Sequence, residues 1–450
     1  MMEMIVLIPG VLCLFVMARE GTPEALRKVV LPTLLVLPIY FNWVARPLPS
    51  ITFLTSAFLA LAAGMVIRDL PRWKFSVLDI AVAMFIMSTC WADHLYGRST
   101  VATFSLFDSL VNVLVPYMAG KLLIEQTGTR EKFVKMFVWV LAFSSMFSAL
   151  EYVIRRNPYI YFWSHFFPGQ WPMFTTQIRW GGGRVAGPFS QSELAGIVMF
   201  TGWLLALWVG RKNWQEKVQG RPAPMEAGKK FVWFMFVALV ITQARGPWIG
   251  AVIGVLIASI GMAKQPVMRT LMVIFLLVGV GVPVYLFGKD YLAGPRKNYG
   301  SEKETAQYRQ ELIDNYVPVA EKGGDWGWGK DFPVKDGQTS IDNEYLYVWV
   351  TQGAIGLDSL LLMVIGTAVT LTRRAIKAQG VRERHFALTM LGILGAFCFT
   401  ISTVYMGAQT FDLFFLLVGW SQAIRAQRAR RVPIEDIRVL TPEFSTRVYS

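Results

Sequence analysis

Apolar residues in this chain come in long runs separated by short polar connections. The runs lie near 4–18, 29–45, 51–67, 76–92, 102–123, 133–154, 191–210, 230–244, 246–263, 267–288, 342–371, 385–402 and 408–424. A helix crossing a hydrocarbon layer roughly 30 Å thick needs about 20 predominantly apolar residues. The pattern therefore predicts an all-α polytopic membrane protein with about 12–13 transmembrane helices. The first run is preceded by Glu3 and no basic residue, so it lacks the charged start of a cleaved leader and is read as a span.

The run beginning at 342 differs from the others because three polar residues, Asp342, Asn343 and Glu344, open it. A helix from 342 to 371 would be roughly 45 Å long, against a core of roughly 30 Å. Its first turns are expected to stand outside the bilayer, next to a long polar segment, 289–341. Within that segment Tyr308, Leu312 and Tyr316 recur at helical spacing, which predicts a short amphipathic helix over 301–320. DWGWGKD at 325–331 follows as a glycine-rich turn, and the two together read as a lid. Segment 155–190 is rich in aromatic residues between arginines and suits the headgroup level.

Composition agrees with the pattern: 54% of residues are hydrophobic and only 16% charged. The net charge of +14 raises the question of a nucleic-acid partner, but the basic residues are spread loop by loop and not gathered on one soluble face. Groups such as Arg68, Arg72 and Lys74, then Lys121, Arg130 and Lys132, then Arg373, Arg374 and Lys377 alternate with poorly charged loops. The positive-inside rule makes these loops cytoplasmic. It puts the amino terminus outside, the tail 425–450 inside, and both 155–190 and 289–341 on the outer face of a single membrane domain, 1–450. The basic tail is expected to meet anionic headgroups. Cys13, Cys90 and Cys398 lie far apart in apolar runs, and the three histidines show no metal-ligand or triad spacing. No phosphate-cradling loop is present, because GGG at 181–183 lacks the strand and the Lys-Ser/Thr that a nucleotide site requires.

Charged residues beside apolar runs draw attention, since a charge at bilayer depth costs roughly 2.5–3.5 kcal/mol and should have a partner. Arg245 tops a tight connection in TQARGPWIGAVIG, where it either snorkels or binds an anion. Arg184 follows three glycines that would let the backbone approach a ligand, and Glu193 enters the next span. Glu193 can equally be the partner of a neighbouring arginine. Asp342 can be an ordinary helix cap. His165, among aromatic residues, reads as interfacial, and the adjacent Asp93 and His94 point apart on any regular element.

GRVAGPFSQSELAG (183–196), QARGPWIGAVIG (243–254) and SIDNEYLYVWVTQGAIGL (340–357) together resemble the O-antigen ligase and Wzy-type polysaccharide polymerase superfamily, over roughly residues 75–425. The resemblance implies a membrane glycosyltransferase that takes a glycan from an undecaprenyl-diphosphate carrier to an acceptor glycan hydroxyl on the periplasmic face of a bacterial inner membrane. It implies no metal or other cofactor, and no nucleic acid. Other polysaccharide-assembly proteins are further partners it allows. It carries donor-binding roles to Arg184 and Arg245, and a base position to Asp342. Ligases of the family typically have histidine where this chain has Asp342, which leans the reading toward a polymerase of exopolysaccharide or O-antigen repeat units, with ligation to lipid A-core as the alternative.

The residues suit that chemistry. Fixed arginines stabilise charge developing on a leaving phosphate, with Arg184 and Arg245 first and Arg309 third. A sugar hydroxyl is a poor nucleophile and gains from a carboxylate base, with Asp342 first and Glu344 and Glu193 next. Asn343 and Tyr345 would orient sugar hydroxyls, and a single displacement inverts the anomeric centre. The rival class is a flippase or transporter for lipid-linked oligosaccharide, which usually carries coupling charges near the midplane. Only Glu151, Asp358 and Asp412 keep that reading open, and a passive scaffold does not explain the arginines.

Overall fold

The computed structural model describes residues 2–44, 49–170, 175–218, 228–292, 301–335, 338 and 340–424, so the basic tail 425–450 lies outside the described residues. Among these the chain forms α1 (Ile8–Glu20), α2 (Thr22–Ala25), α3 (Leu31–Val36), α4 (Phe53–Arg68), α5 (Val77–Leu95), α6 (Ser99–Ser109), α7 (Val115–Leu123), α8 (Arg130–Ile154) and α9 (Pro158–Trp163). They continue with α10 (Ser192–Val218), α11 (Gly228–Ile241), α12 (Arg245–Ile260), α13 (Pro266–Leu292), α14 (Ser301–Gly323), α15 (Glu344–Lys377), α16 (Val381–Ile401) and α17 (Ala408–Ala423). Two antiparallel pairs of short strands complete the described chain: β1 (Asn42–Trp43) with β2 (Ile51–Thr52), and β3 (Ile178–Arg179) with β4 (Gly182–Gly183). The architecture is all-α and polytopic.

Each apolar run of the sequence carries a helix, but the lengths are uneven. Among the described residues eight helices are long and apolar enough to cross a membrane, and Phe53–Arg68, Lys230–Ile241 and Arg245–Ile260 are shorter apolar ones. The run 29–45 shows why a run is not always a span. Its helix stops at Val36, and Leu37 turns to extended backbone (φ −93°, ψ 132°), as expected for a residue that precedes a proline, here Pro38.

Helices close on one another through small residues. A side chain at Gly254 would strike the Gly392 carbonyl, and one at Gly419 the Tyr117 backbone, so α12 lies against α16 and α17 against α7 at backbone distance. At the end of the bundle where α5 begins and α7 finishes, Lys121 is buried and donates to both Asp79 oxygens at 2.5 and 2.7 Å, and Tyr117 donates to the same carboxylate at 2.6 Å.

The expected straight helix from 342 does not form. Asn343 takes the capping position, its Oδ1 accepting from Leu346 N at 3.2 Å, and α15 then breaks at Gly353 (φ 71°, ψ −165°). The break leaves backbone groups without intrahelical partners, which cannot be tolerated in an apolar setting. The glycine-rich turn supplies them. Trp328 N and Gly329 N donate to the carbonyls of Val350 and Thr351, both at 2.9 Å, while Ala354 N and Ile355 N donate to the carbonyls of Gly324 and Asp325 at 3.2 and 3.1 Å. Gly324, Gly327 and Gly329 all hold positive φ, and a Cβ on Gly327 would overlap the backbone at Thr351 to Gly353. The glycine-rich turn is thus seated in the broken helix. The part of α15 beyond the break spans about 36 Å at 1.5 Å per residue, close to a bilayer core.

Packing carries α14 with the first part of α15. Leu312, Tyr316, Val319 and Ala320 of α14 form one buried cluster with Ile341, Leu346 and Val350. Trp328 Nε1 donates to the Val319 carbonyl at 2.8 Å, fixing the end of α14 to the turn.

Candidate active site at the broken-helix end

The β3–β4 hairpin sets up the first arginine. Trp180 and Gly181 form its two-residue turn with φ of 49° and 80°, the mirror-image geometry that closes tight hairpins and favours glycine. A Cβ on Gly182 would meet the Tyr152 ring and one on Gly183 the Glu151 carbonyl. Gly182 and Gly183 therefore let the hairpin lie against the end of α8. Glu151, buried in α8, then gathers the following loop: it accepts from Thr176 Oγ1 at 2.7 Å, Ala186 N at 3.0 Å and Gly187 N at 2.7 Å. This intramembrane charge is spent on holding the loop that bears Arg184.

Arg184 is buried, donates through Nη1 to Gln177 Oε1 at 2.7 Å, and pairs through Nη2 with Glu193 at the start of α10. Its Nε is buried with no hydrogen-bond partner among the described residues. Glu193 also accepts from Ser192 Oγ at 3.0 Å, so both of its oxygens are engaged.

Arg245 opens α12 and is exposed, with its guanidinium 5.6 Å from the centre of the Trp180 ring. A Cβ on Gly246 would press on Thr403 Oγ1, and Arg309 of α14 donates to the Thr403 carbonyl at 3.3 Å. Arg309 is thereby tied to the connection between α16 and α17, and the backbone after Arg245 lies against the same connection. Asp342 stands at the same end and accepts from Ser340 Oγ at 2.9 Å, while Tyr308 donates to the Ser340 carbonyl at 3.1 Å. Burial, followed by the charge of Asp342, pushes up the Tyr308 and Tyr405 hydroxyls, and Glu344 adds to the effect on Tyr405. These phenols stay neutral donors beside the carboxylates.

The three residues after Asp342 diverge in role. Asn343 spends its side-chain oxygen on the helix cap. Tyr345 donates to the Cys398 carbonyl at 3.2 Å and ties α15 to α16. Glu344 is 2% exposed and accepts from Met406 N at 2.5 Å. Glu344 also lines a cavity of about 290 Å³ between α5, α6, the first part of α15, α17 and the glycine-rich turn. That cavity brings in Asp93, Asp108 and Asp412, three carboxylates that no local pattern connects. Asp93 turns inward and accepts from Ser105 Oγ and Lys330 N, whereas its neighbour His94 faces out against Trp91. The π-helical turn at Leu110–Leu114 contributes Asn112 to the wall. A charge inside an apolar run was the available signal for Asp412, and α6 carried the same signal in Asp108.

Helices and site define a multi-pass membrane protein with a polar centre assembled from loops at one end of its bundle, cationic on one side and acidic on the other. Residues 231–361, under a third of the chain, match the family model Wzy_C, described as O-Antigen ligase, which supports the resemblance to the O-antigen ligase/Wzy superfamily. The matched stretch contains Arg245, Arg309, Asp342, Glu344 and the whole of the helix break; Arg184 and Glu193 precede it. No curated protein gives a match to the chain. The match supports a membrane glycosyltransferase of the ligase or polymerase type.

Proposed function

We propose that the protein polymerises repeat units of an exopolysaccharide or O-antigen, transferring the glycan of an undecaprenyl-diphosphate carrier to a sugar hydroxyl of an acceptor glycan. The observation that carries this reading is the meeting of Arg309 and the Arg245 turn on Thr403, at the end of the bundle where Asp342 and Glu344 begin α15. The reading takes that end as the periplasmic face of a bacterial inner membrane, with the amino terminus on the same side and the carboxyl terminus in the cytoplasm. Arg184, through its unpartnered Nε, and Arg245 and Arg309 hold the diphosphate and take up the charge that develops as the bond between the anomeric carbon and the phosphate oxygen breaks. Asp342 accepts the proton of the attacking hydroxyl while the new glycosidic bond forms on the opposite face, which inverts the centre. Glu193 positions Arg184, and Asn343 and Tyr345 fix the turn that presents Asp342 and Glu344.

Reconstituted protein given lipid-diphosphate-linked repeat units is the test, with products sized on a gel. Wild type should build a ladder. Arg245→Ala should lower the rate about 10²–10³-fold, and Asp342→Asn about 10²–10⁴-fold. One added glycan on lipid A-core, with no ladder, would favour the ligase alternative. Substrate crossing the vesicle membrane without product would replace both with a flippase.

A further inference from the structure

The cavity beside Glu344 is lined by carboxyl groups where the neighbouring cluster presents arginines. Asp93 and Asp412 are 0 and 2% exposed, Glu344 is 2% exposed, and Asp108 stands at the same wall. The cavity's one lysine is Lys330, whose Nζ is 4.0 Å from Asp108 and half exposed. Three of the four carboxyl groups have a described partner: Lys330 N, Ser105 and the Arg98 guanidinium at 3.5 Å serve Asp93, Met406 N serves Glu344 and Lys330 faces Asp108. Asp412 differs. Its Oδ1 is buried against the cavity with no hydrogen-bond partner among the described residues. A buried carboxylate oxygen left in that state is costly unless a donor arrives from elsewhere.

The rest of the wall fits a polyhydroxylated ligand. Thr52, Thr55, Thr89 and Ser109 offer hydroxyls, and Tyr347 and Phe411 offer ring faces. At about 290 Å³ the space lies at the small end of ligand cavities and suits one sugar ring better than a chain. The connection from Ser402 to Gly407 joins the two regions: its Thr403 meets Arg309 and Gly246, and its Met406 lines the cavity. An anionic sugar or a phosphate would meet four carboxyl groups and a single lysine along the cavity wall, whereas the diphosphate of a donor is served by the arginines.

We infer that this cavity is a subsite for the acceptor's sugar residue next to the reacting hydroxyl, and that Asp412 makes it select an amino or neutral sugar and reject a uronate. The inference rests on the glycosyl-transfer reading above. Donor and acceptor are thus sorted by charge at one site, and Glu344 lies against the acceptor's sugar.

Binding separates this inference from the reading it rests on. Full-length protein in nanodiscs is titrated with three tetrasaccharides, of glucose, of glucosamine and of galacturonate, with saturation-transfer NMR as the readout. Glucosamine should bind tightest, glucose next, and galacturonate about tenfold or more weaker than glucose. Asp412→Asn, which keeps the side chain's size, should weaken the glucosamine probe about tenfold or more, the worth of one hydrogen bond to a charged group. Thr55→Trp, which fills the cavity, should abolish binding of all three. In turnover assays both variants should raise the acceptor KM and leave the donor KM unchanged. No binding of any probe to wild type, equal binding of galacturonate, or an unchanged acceptor KM in both variants overturns the subsite. If saccharides bind as expected but no transfer occurs with any donor, the subsite stands and the transferase reading falls.

Discussion

Asn343, Arg184 and Glu193 show how few side chains hold the proposed site together. Asn343→Ala removes the cap of α15 and should cost about 1 kcal/mol, seen as a lower melting temperature in detergent. It should also slow turnover, because the residues on either side are Asp342 and Glu344. Glu193→Gln should raise the donor KM with little change in kcat, since the carboxylate holds Arg184 and does not meet the sugar; a fall in kcat alone would count against that role. Tyr405 offers a pH test. A phenol pushed above its ordinary value of about 10 stays protonated through pH 9, so Tyr405→Phe should leave the alkaline limb of the pH–rate profile where it is in wild type. At this scale Arg184 and Arg245 stood out because each lies beside an apolar run, whereas Arg309 sits in a polar segment. The acidic cavity was not: Asp93, Asp108, Asp412 and Glu344 come from four helices, and nothing in a linear pattern says which way each side chain turns.

Among the elements, the broken α15 decides most. Gly353→Ala would force a Cβ into the Asp325 backbone at a φ of 71°, and the left-handed conformation alone costs about 1–3 kcal/mol. Thermal unfolding should show the loss, and activity should fall with it. Gly279→Ala, on a face of α13 where a Cβ meets nothing, is the matched control and should leave the melting temperature unchanged or higher. The amphipathic helix over 301–320 was readable from Tyr308, Leu312 and Tyr316, and its buried face is built from two of these. The break was not readable. VTQGAIGL has a helical composition, and an isolated glycine there is tolerated; what opens the helix is a set of hydrogen bonds from a turn more than twenty residues earlier.

For the whole molecule, two ends with different duties follow from the placement of charge. The end opposite the site is held by buried pairs such as Lys121 with Asp79. Asp79→Ala would strand Lys121 without its counter-charge, so unfolding in denaturant should show a loss of about 3–5 kcal/mol. The proposed sidedness is checked by cysteine labelling in a background with Cys13, Cys90 and Cys398 replaced. A membrane-impermeant reagent added to intact cells should reach a cysteine at Lys322 and fail to reach one at Arg373. Reaction at Arg373 alone would invert the topology. The helical class was legible because the bilayer imposes length and apolarity on any segment that crosses it. Span count was less so, because a proline two residues past Val36 ends a helix inside an apolar run.

The seat of the glycine turn in the split helix also bears on how such a chain can change over generations. Gly327 and Gly353 occupy each other's space, so a side chain acquired at one is tolerated only if the backbone at the other withdraws. The two positions form a single unit of inheritance despite their distance along the gene. In a collection of related sequences they should be kept together or lost together, and lineages that lose both should have a continuous helix, a relocated outer segment and a different acceptor.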